Sequence, residues 1–253
     1  MAQIVLGNVD LLYPTKVHSR PTLKELLFSF LGNYGQASKM VQGLDSVTLR
    51  IEGGECVGVL GRNGAGKSTL LRAIAGVYPI SAGSCQTDGK IASLFDIAAG
   101  FEWNATGWEN IELRAYLQGE TPTTLRDRLD AIVEFTDLRD MLDRPLKCFS
   151  TGRIMLLSFA IATCFDTEIL LIDEFLSTAD VQVREKAIER MLEMIRANGI
   201  VMVASHDLAF LRQICNRAIW LEQGRVREDG PTECVIESYL SSAQTKKQVP
   251  LAA

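Results

Sequence analysis

The sequence predicts an α/β fold built on a parallel sheet. Three segments carry this expectation, each running from an apolar, strand-like stretch into a loop of chemically capable residues and then into a helical pattern. They are Cys56 to Leu60 before "GRNGAGKST", Ile169 to Ile172 before Asp173 and Glu174, and Ile200 to Val203 before Ser205 and His206. Wholly apolar runs of this length suit strands covered on both faces, and open α/β sheets bind ligands at the carboxyl ends of such strands.

The first loop comprises Gly61, Arg62, Asn63, Gly64, Ala65, Gly66, Lys67, Ser68 and Thr69, and a helical pattern follows to about Gly76. This is the phosphate-binding loop pattern in its strand-loop-helix setting. Glycines let successive amides turn inward around β- and γ-phosphates, Lys67 reaches them as a point charge, and the Ser68 hydroxyl suits magnesium. The second segment, "TEILLIDEF", ends in two carboxylates. Asp173 can belong to the magnesium shell and Glu174 can orient or deprotonate an attacking water, the plain alternative being a solvated acidic turn. The third, "GIVMVASHDLAFL", brings His206 to a strand end. A lone histidine is most often structural, but beside a phosphate loop and an acidic pair an imidazole can contact the γ-phosphate and hold water and carboxylate in place.

A fourth stretch, "KCFSTGRIMLLSFAIA", sets Ser150, Thr151, Gly152 and Arg153 before an apolar run. Ser150 or Thr151 can simply cap a buried helix. Equally, a glycine-flanked helix start can face an anion, because its free amides and dipole favour negative charge. The sixteen residues leave both readings open.

Composition narrows the field. At 253 residues and 47% hydrophobic, the chain can bury a substantial core. A net charge of -5 and a pI near 5.2 disfavour nucleic acid as the main partner. The six cysteines lack paired zinc-type spacing and only His18 and His206 could assist, so free thiols of a reducing cytosol are expected, not zinc or a disulfide scaffold. No basic-then-apolar leader opens the chain, and its apolar runs fall short of the roughly 20 residues a membrane span needs, so a soluble chain is expected.

Taken in order, "GRNGAGKST", "FSTGR", "ILLIDE" and "SHD" resemble the ATP-binding subunits of ABC transporters. The stretches "TLKELLF", "ASLFDIAAGFEWNATGWENI", "IVEFTDLRDMLDRPLKCFSTG" and "CNRAIWLEQGRVREDGPTECVIESY" extend the resemblance to exporters of lipid-linked O-antigen, teichoic acid and capsular polymers, from about residue 4 to residue 240.

The resemblance implies a RecA-like P-loop ATPase core with an edge antiparallel β region near the N-terminus, over residues 1–243. A helical signature subdomain is expected at about 104–165 and a short tail at 244–253. It implies ATP and Mg2+, with Glu174 and His206 catalytic and Tyr13 stacking on adenine. Asp96 matches the Q-loop glutamine that helps bind magnesium and faces the membrane subunit. Ser150, Thr151, Gly152 and Arg153 stand at the signature, which would cover the ATP of a second copy, and Asp180 lies in the loop crossing the dimer interface. Where the family usually reads LSGGQ, or SSGM in the polysaccharide branch, this chain keeps the serine and glycine and adds Thr151 and Arg153. Residues 22–31, with Thr22 and Glu25 as a capping box, match a helix near the channel gate. No sugar-binding β-sandwich is expected after Leu240, so the subunit would not itself read the glycan. Implied partners are a second copy and a polytopic permease at the cytoplasmic face of the bacterial inner membrane, with the lipid-linked glycan reached indirectly. Other ABC transporters, importers or drug exporters, share the same catalytic elements. Soluble ABC ATPases of chromosomes or ribosomes fit less well, for want of a long coiled coil or a second ATPase domain, and a non-enzymatic nucleotide binder is disfavoured by Glu174 with His206.

Overall fold

The computed structural model describes residues 1–14, 40–96, 99–174 and 181–247. Two sheets are present among them. Strands β1 (Gln3–Pro14), β2 (Met40–Glu52) and β4 (Ala82–Asp88) form an antiparallel sheet in the order β2-β1-β4. The second sheet runs β5 (Ile91–Leu94), β6 (Ile169–Asp173), β7 (Ile200–Ala204), β3 (Cys56–Leu60), β8 (Arg217–Glu222), β9 (Arg225–Pro231). Its first five strands are parallel and β9 returns antiparallel to β8. The N-terminal β region is thus a sheet of its own, stacked on the parallel sheet and not paired along its edge.

Strands β3 and β7 are apolar throughout, and β6 is apolar up to Asp173, because both faces are covered. Ile169, Leu171, Ile200 and Met202 face one way, into a core shared with Ile4, Leu6 and Leu49 of the antiparallel sheet and Leu70 and Leu71 of helix α1 (Lys67–Ile74). Leu170, Ile172, Val201 and Val203 face the other way, onto helices α4 (Thr151–Cys164), α5 (Val181–Arg196), α6 (Leu208–Ile214) and α7 (Thr232–Lys247). Each such burial contributes roughly 1.5–3 kcal/mol relative to exposure. Helix α1 stops at Ile74, two residues short of the expected Gly76, with Ala75 closing it. Helix α7 continues through residue 244, where the sequence suggests a tail, to Lys247.

A third core belongs to the helical segment, formed by helices α2 (Gly107–Leu117), α3 (Pro122–Thr136) and α4 with two 3-10 turns, and drawing on residues from Phe101 to Phe165. Thr106 and Thr121 start α2 and α3 with capping boxes, each threonine accepting from the amide three residues on. Helix α4 joins the two lobes, which explains its composition. Met155, Leu156, Phe159 and Ala162 pack into the sheet core, while Ile154, Leu157, Ile161 and Cys164 pack into the helical one. A helix contacted on two sides must be apolar around most of its girth.

The expected helix at 22–31 and the interface loop with Asp180 lie outside the described residues.

Candidate functional site

Strands β6, β7 and β3 are neighbours in the parallel sheet, so the loops after them emerge side by side. This brings together residues far apart in sequence: Lys67 after β3, Asp173 and Glu174 at the end of β6, His206 after β7.

Helix α1 starts without a side-chain cap, its Ncap residue being Gly66 at φ 107°. A β-carbon there would lie 2.7 Å from the Gly43 carbonyl oxygen and 3.4 Å from the Gly224 Cα, so the loop is clamped between β2 and the β8–β9 turn. Glycine is required twice over, for the dihedral and for the approach. The amides opening α1 therefore have no protein side chain at the Ncap to accept from them, the arrangement that receives anions in other proteins. Lys67 is buried, and its ammonium donates to the Gly61 carbonyl at 3.0 Å and reaches the Arg62 carbonyl at 3.5 Å. Burial lowers its pKa, with Glu174 and Asp173 pulling the other way. Such a site gains from an anion that restores the lost solvation.

Glu174 occupies the left-handed region at φ 55°, its amide donating to the Ala204 carbonyl at 2.9 Å. That conformation is costly for a non-glycine residue and turns the side chain out of the strand toward His206. His206 Nε2 lies 2.8 Å from Glu174 Oε1 and 3.4 Å from Lys67 Nζ. An ammonium only donates and a carboxylate only accepts, so the tautomer with Nε2–H donating to Glu174 satisfies the pair. Lys67 approaches that same nitrogen, which then has no lone pair left to accept, so the ammonium is an electrostatic neighbour of the imidazole–carboxylate pair.

Neighbouring bonds fix the histidine. Ser205 is buried, and its hydroxyl accepts from the Asp207 amide at 3.0 Å. Asp207 caps α6 by accepting from the Phe210 amide at 3.0 Å and pairs with Arg184 at 2.9 Å, whose guanidinium lies over the Phe210 ring. The Phe210 amide first, then Arg184, hold the Asp207 carboxyl below its usual range.

Asp173 is nearly buried at 8% side-chain exposure. Among the described residues its Oδ1 has no hydrogen-bond partner, and its Oδ2 lies 3.7 Å from the Arg72 guanidinium. An orphaned buried carboxylate oxygen beside a phosphate loop fits the oxygen-donor chemistry of magnesium, with the Ser68 hydroxyl as the second protein donor.

A cleft of about 410 Å³ is lined by Tyr13, Val41, Gln42, Gly43, residues 63–69 and Glu174. Tyr13 is half-exposed, and a β-carbon on Gly43 would sit 2.7 Å from its ring, so the ring edge lies against Gly43. Thr69 touches the same glycine through its methyl. A wider cavity of about 580 Å³ lies on the other side of the loop, between Arg62–Ala65 and Trp220, Glu222 and Tyr239.

Ser150, Thr151, Gly152 and Arg153 line no part of this cleft. Ser150 caps α4, its hydroxyl accepting from the Arg153 amide at 3.4 Å, and Ser150, Thr151 and Arg153 are exposed. Asp96 is exposed beyond β5, where its charge acts on Arg114 of α2. Val41, Gln42, Gly43, Arg72 and Arg184 escaped the sequence reading. They belong to no motif, and only strand stacking and helix packing bring them to the site.

Residues 44–177 match the family described as ABC transporter. The O-antigen export system ATP-binding protein RfbE of Yersinia enterocolitica is 37% identical over 234 residues, 90% of this chain and 98% of that protein. RfbB of Klebsiella pneumoniae, of the same description, is 33% identical over 93% of this chain and 96% of its own. The teichoic acids export ATP-binding protein TagH of Lactococcus lactis is 35% identical over 88% of this chain, which spans only 47% of TagH. In fold, the chain superposes with a TM-score of 0.72 on an ATP-binding subunit of an ABC transporter, at 21% identity and over 93% of this chain and 92% of that one. Among the described residues no helix is long and apolar enough to cross a membrane.

Proposed function

This chain belongs to the ABC transporter family, and from that premise we propose that it is the ATP-hydrolysing subunit that powers export of a lipid-linked polysaccharide across the cytoplasmic membrane. It acts as a dimer with a second copy of itself, bound at the cytoplasmic face to a membrane permease. The observation that carries the hydrolytic part is the convergence of Lys67, His206 and Glu174, at 3.4 and 2.8 Å, beside the orphaned oxygen of Asp173. The export part is supported by relatives at 33–37% identity named for O-antigen and teichoic acid export.

The chemistry follows from the side chains. The loop amides and Lys67 bind the β- and γ-phosphates, and burial of the lysine makes it seek them. Ser68 and Asp173 would hold magnesium, which would neutralise phosphate charge when bound; Asp96, matched to the Q-loop glutamine, is a further candidate. Glu174 accepts the proton of the attacking water as its oxygen bonds to the γ-phosphorus and the bond to the ADP oxygen breaks. His206 keeps the Glu174 carboxylate aimed through its Nε2–H and lies beside the γ-phosphate. Tyr13 stacks on the adenine, held by its seat on Gly43.

The uncovered side of the bound nucleotide is closed by another chain. Exposed Ser150 and half-buried Gly152 lie at the start of a helix that lines no part of its own chain's cleft, which suits contact with a partner's γ-phosphate. Thr151 and Arg153 border that contact. Closure of two such half-sites traps two ATP molecules, and hydrolysis releases them.

Glu174→Gln keeps the side-chain shape and removes the base. ATP binding is expected to persist, turnover to fall about 10²- to 10⁴-fold, and an ATP-dependent dimer to appear by light scattering. Hydrolysis at the parent rate removes Glu174 from the mechanism, and a monomer in saturating ATP removes the sandwich.

A further inference from the structure

We propose that Arg72 is a resident counter-ion of Asp173 that the magnesium ion must displace, which makes it a positioning residue for metal-nucleotide binding. The inference rests on the reading that Asp173 holds magnesium. Arg72 sits on α1, five residues beyond Lys67, and its Nη2 lies 3.7 Å from Asp173 Oδ2. That is within ion-pair range but beyond a hydrogen bond, so charge alone joins them. Asp173 needs such a partner, because its carboxylate is 8% exposed and Oδ1 is orphaned. A buried carboxylate is tolerated only near compensating positive charge, which here comes from Arg72 and Lys67.

The guanidinium also has somewhere else to rest. It lies over the Phe95 ring at 5.5 Å and the Tyr78 ring at 5.9 Å from the centroids. When a divalent cation takes the carboxylate, Arg72 loses its ionic partner and is repelled by the newcomer, yet keeps two ring faces that favour a cation. The exchange is therefore local and needs no unfolding of α1.

Its consequence reaches beyond the metal. Phe95 precedes Asp96, whose charge acts on Arg114 of the helical lobe. Arg114 is buried, donates to the Ala99 carbonyl at 2.6 Å and lies 4.6 Å over the Phe101 ring. The connection from β5 to α2 is thus gripped by one arginine from the sheet lobe and one from the helical lobe. The Arg72 contact to Phe95 is the end that metal occupancy can alter.

The sign of the test follows from electrostatics. Two cations compete for one carboxylate, so removing the Arg72 charge must make magnesium bind more tightly, whereas a purely structural arginine would weaken binding or leave it unchanged. The full chain is titrated with MgCl2 in the presence of a fluorescent, non-hydrolysable ATP analogue. For Arg72→Gln the half-saturating magnesium concentration is expected to fall about three- to tenfold, while analogue binding in EDTA stays within about twofold of the parent, because it rests on the Lys67 loop. Arg72→Lys keeps the charge and should stay near the parent. Arg72→Met, whose stem still packs on the two rings, gives the same readout if Arg72→Gln folds poorly. An unchanged or higher magnesium requirement in the charge-removing variant overturns the proposal. Asp173→Asn separates the two readings. If it abolishes magnesium dependence while Arg72→Gln leaves it unchanged, only the Arg72 inference fails; if Asp173→Asn leaves it intact, the metal assignment itself fails.

Discussion

Replacing Gly66 by alanine tests how the phosphate loop is held. Two costs arise at this position. An alanine at φ 107° is strained, by about 1–3 kcal/mol. Its β-carbon would also lie 2.7 Å from the backbone oxygen of Gly43, a contact that only a shift of β2 or of the loop can relieve. With each cost near the low end of its range, together they amount to about 2–3 kcal/mol. How the cost divides is itself informative. If the loop keeps its shape, the strain is present with and without nucleotide, and the whole loss appears as reduced folding stability. If the loop relaxes, stability recovers but nucleotide must reimpose the strain, and ATP affinity falls by up to about 30- to 150-fold. The sum of the two losses is the quantity fixed by the geometry. Urea unfolding gives the first and equilibrium binding of a fluorescent ATP analogue the second. Gly64→Ala is the control, since Gly64 has φ 78° and its β-carbon would meet nothing within 4 Å, leaving a cost of about 1 kcal/mol from the dihedral alone. A summed loss below about 1 kcal/mol for Gly66→Ala, or equal losses in the two variants, would refute the clamp.

Two further expectations concern stability. Arg217 joins β8 to Asp229 of β9 through two bonds of 2.7 Å, to Glu55 at 3.0 Å and to the Arg50 carbonyl at 2.9 Å, with its side chain 24% exposed. Those carboxylates raise its pKa above the usual arginine value, so Arg217→Met should cost about 2 kcal/mol and lower Tm by roughly 4–8 °C; a shift under about 1 °C in calorimetry counts against the network. Asp207 has a depressed folded pKa, led by the Phe210 amide and then Arg184, so its stabilisation is present above the unfolded value near 3.9 and lost as pH falls through the lower folded one. Its carboxyl is 37% exposed, so the contribution is only about 0.5–1 kcal/mol. Asp207→Asn keeps the cap and removes the titration, and its stability gap from the parent should close as pH falls from about 4 through the lower folded pKa in urea melts; a gap independent of pH would exclude the ionic contribution.

Much of the candidate site was legible in the chain because its parts are local. The strand-loop-helix around Lys67 depends on glycines and amides within nine residues. The cap at Ser150 depends on an amide three residues away. The acidic pair and the histidine each end a short apolar run that reads as a buried strand. What was illegible involves pairs distant in sequence. Arg72 meets Asp173, Gly43 meets Tyr13 and Gly66, and Arg184 meets Asp207 without any motif to announce them. The resemblance implies an edge antiparallel β region, whereas β1, β2 and β4 form a separate sheet stacked on the face of the parallel one, and the hydrophobicity of β1 and β2 is the same in either arrangement.

By itself, then, the sequence determined which residue types sit at strand ends and helix starts, since backbone dihedrals and hydrogen bonds over a few positions decide those. The tertiary structure alone decided that β6, β7 and β3 lie side by side. That order places Glu174 2.8 Å from His206 and His206 3.4 Å from Lys67, although the outer two are 107 positions apart in sequence. The apolar surfaces of these strands are interchangeable, so no local pattern dictates their order. It is the joint burial of both sheet faces, against the antiparallel sheet on one side and four helices on the other, that selects it.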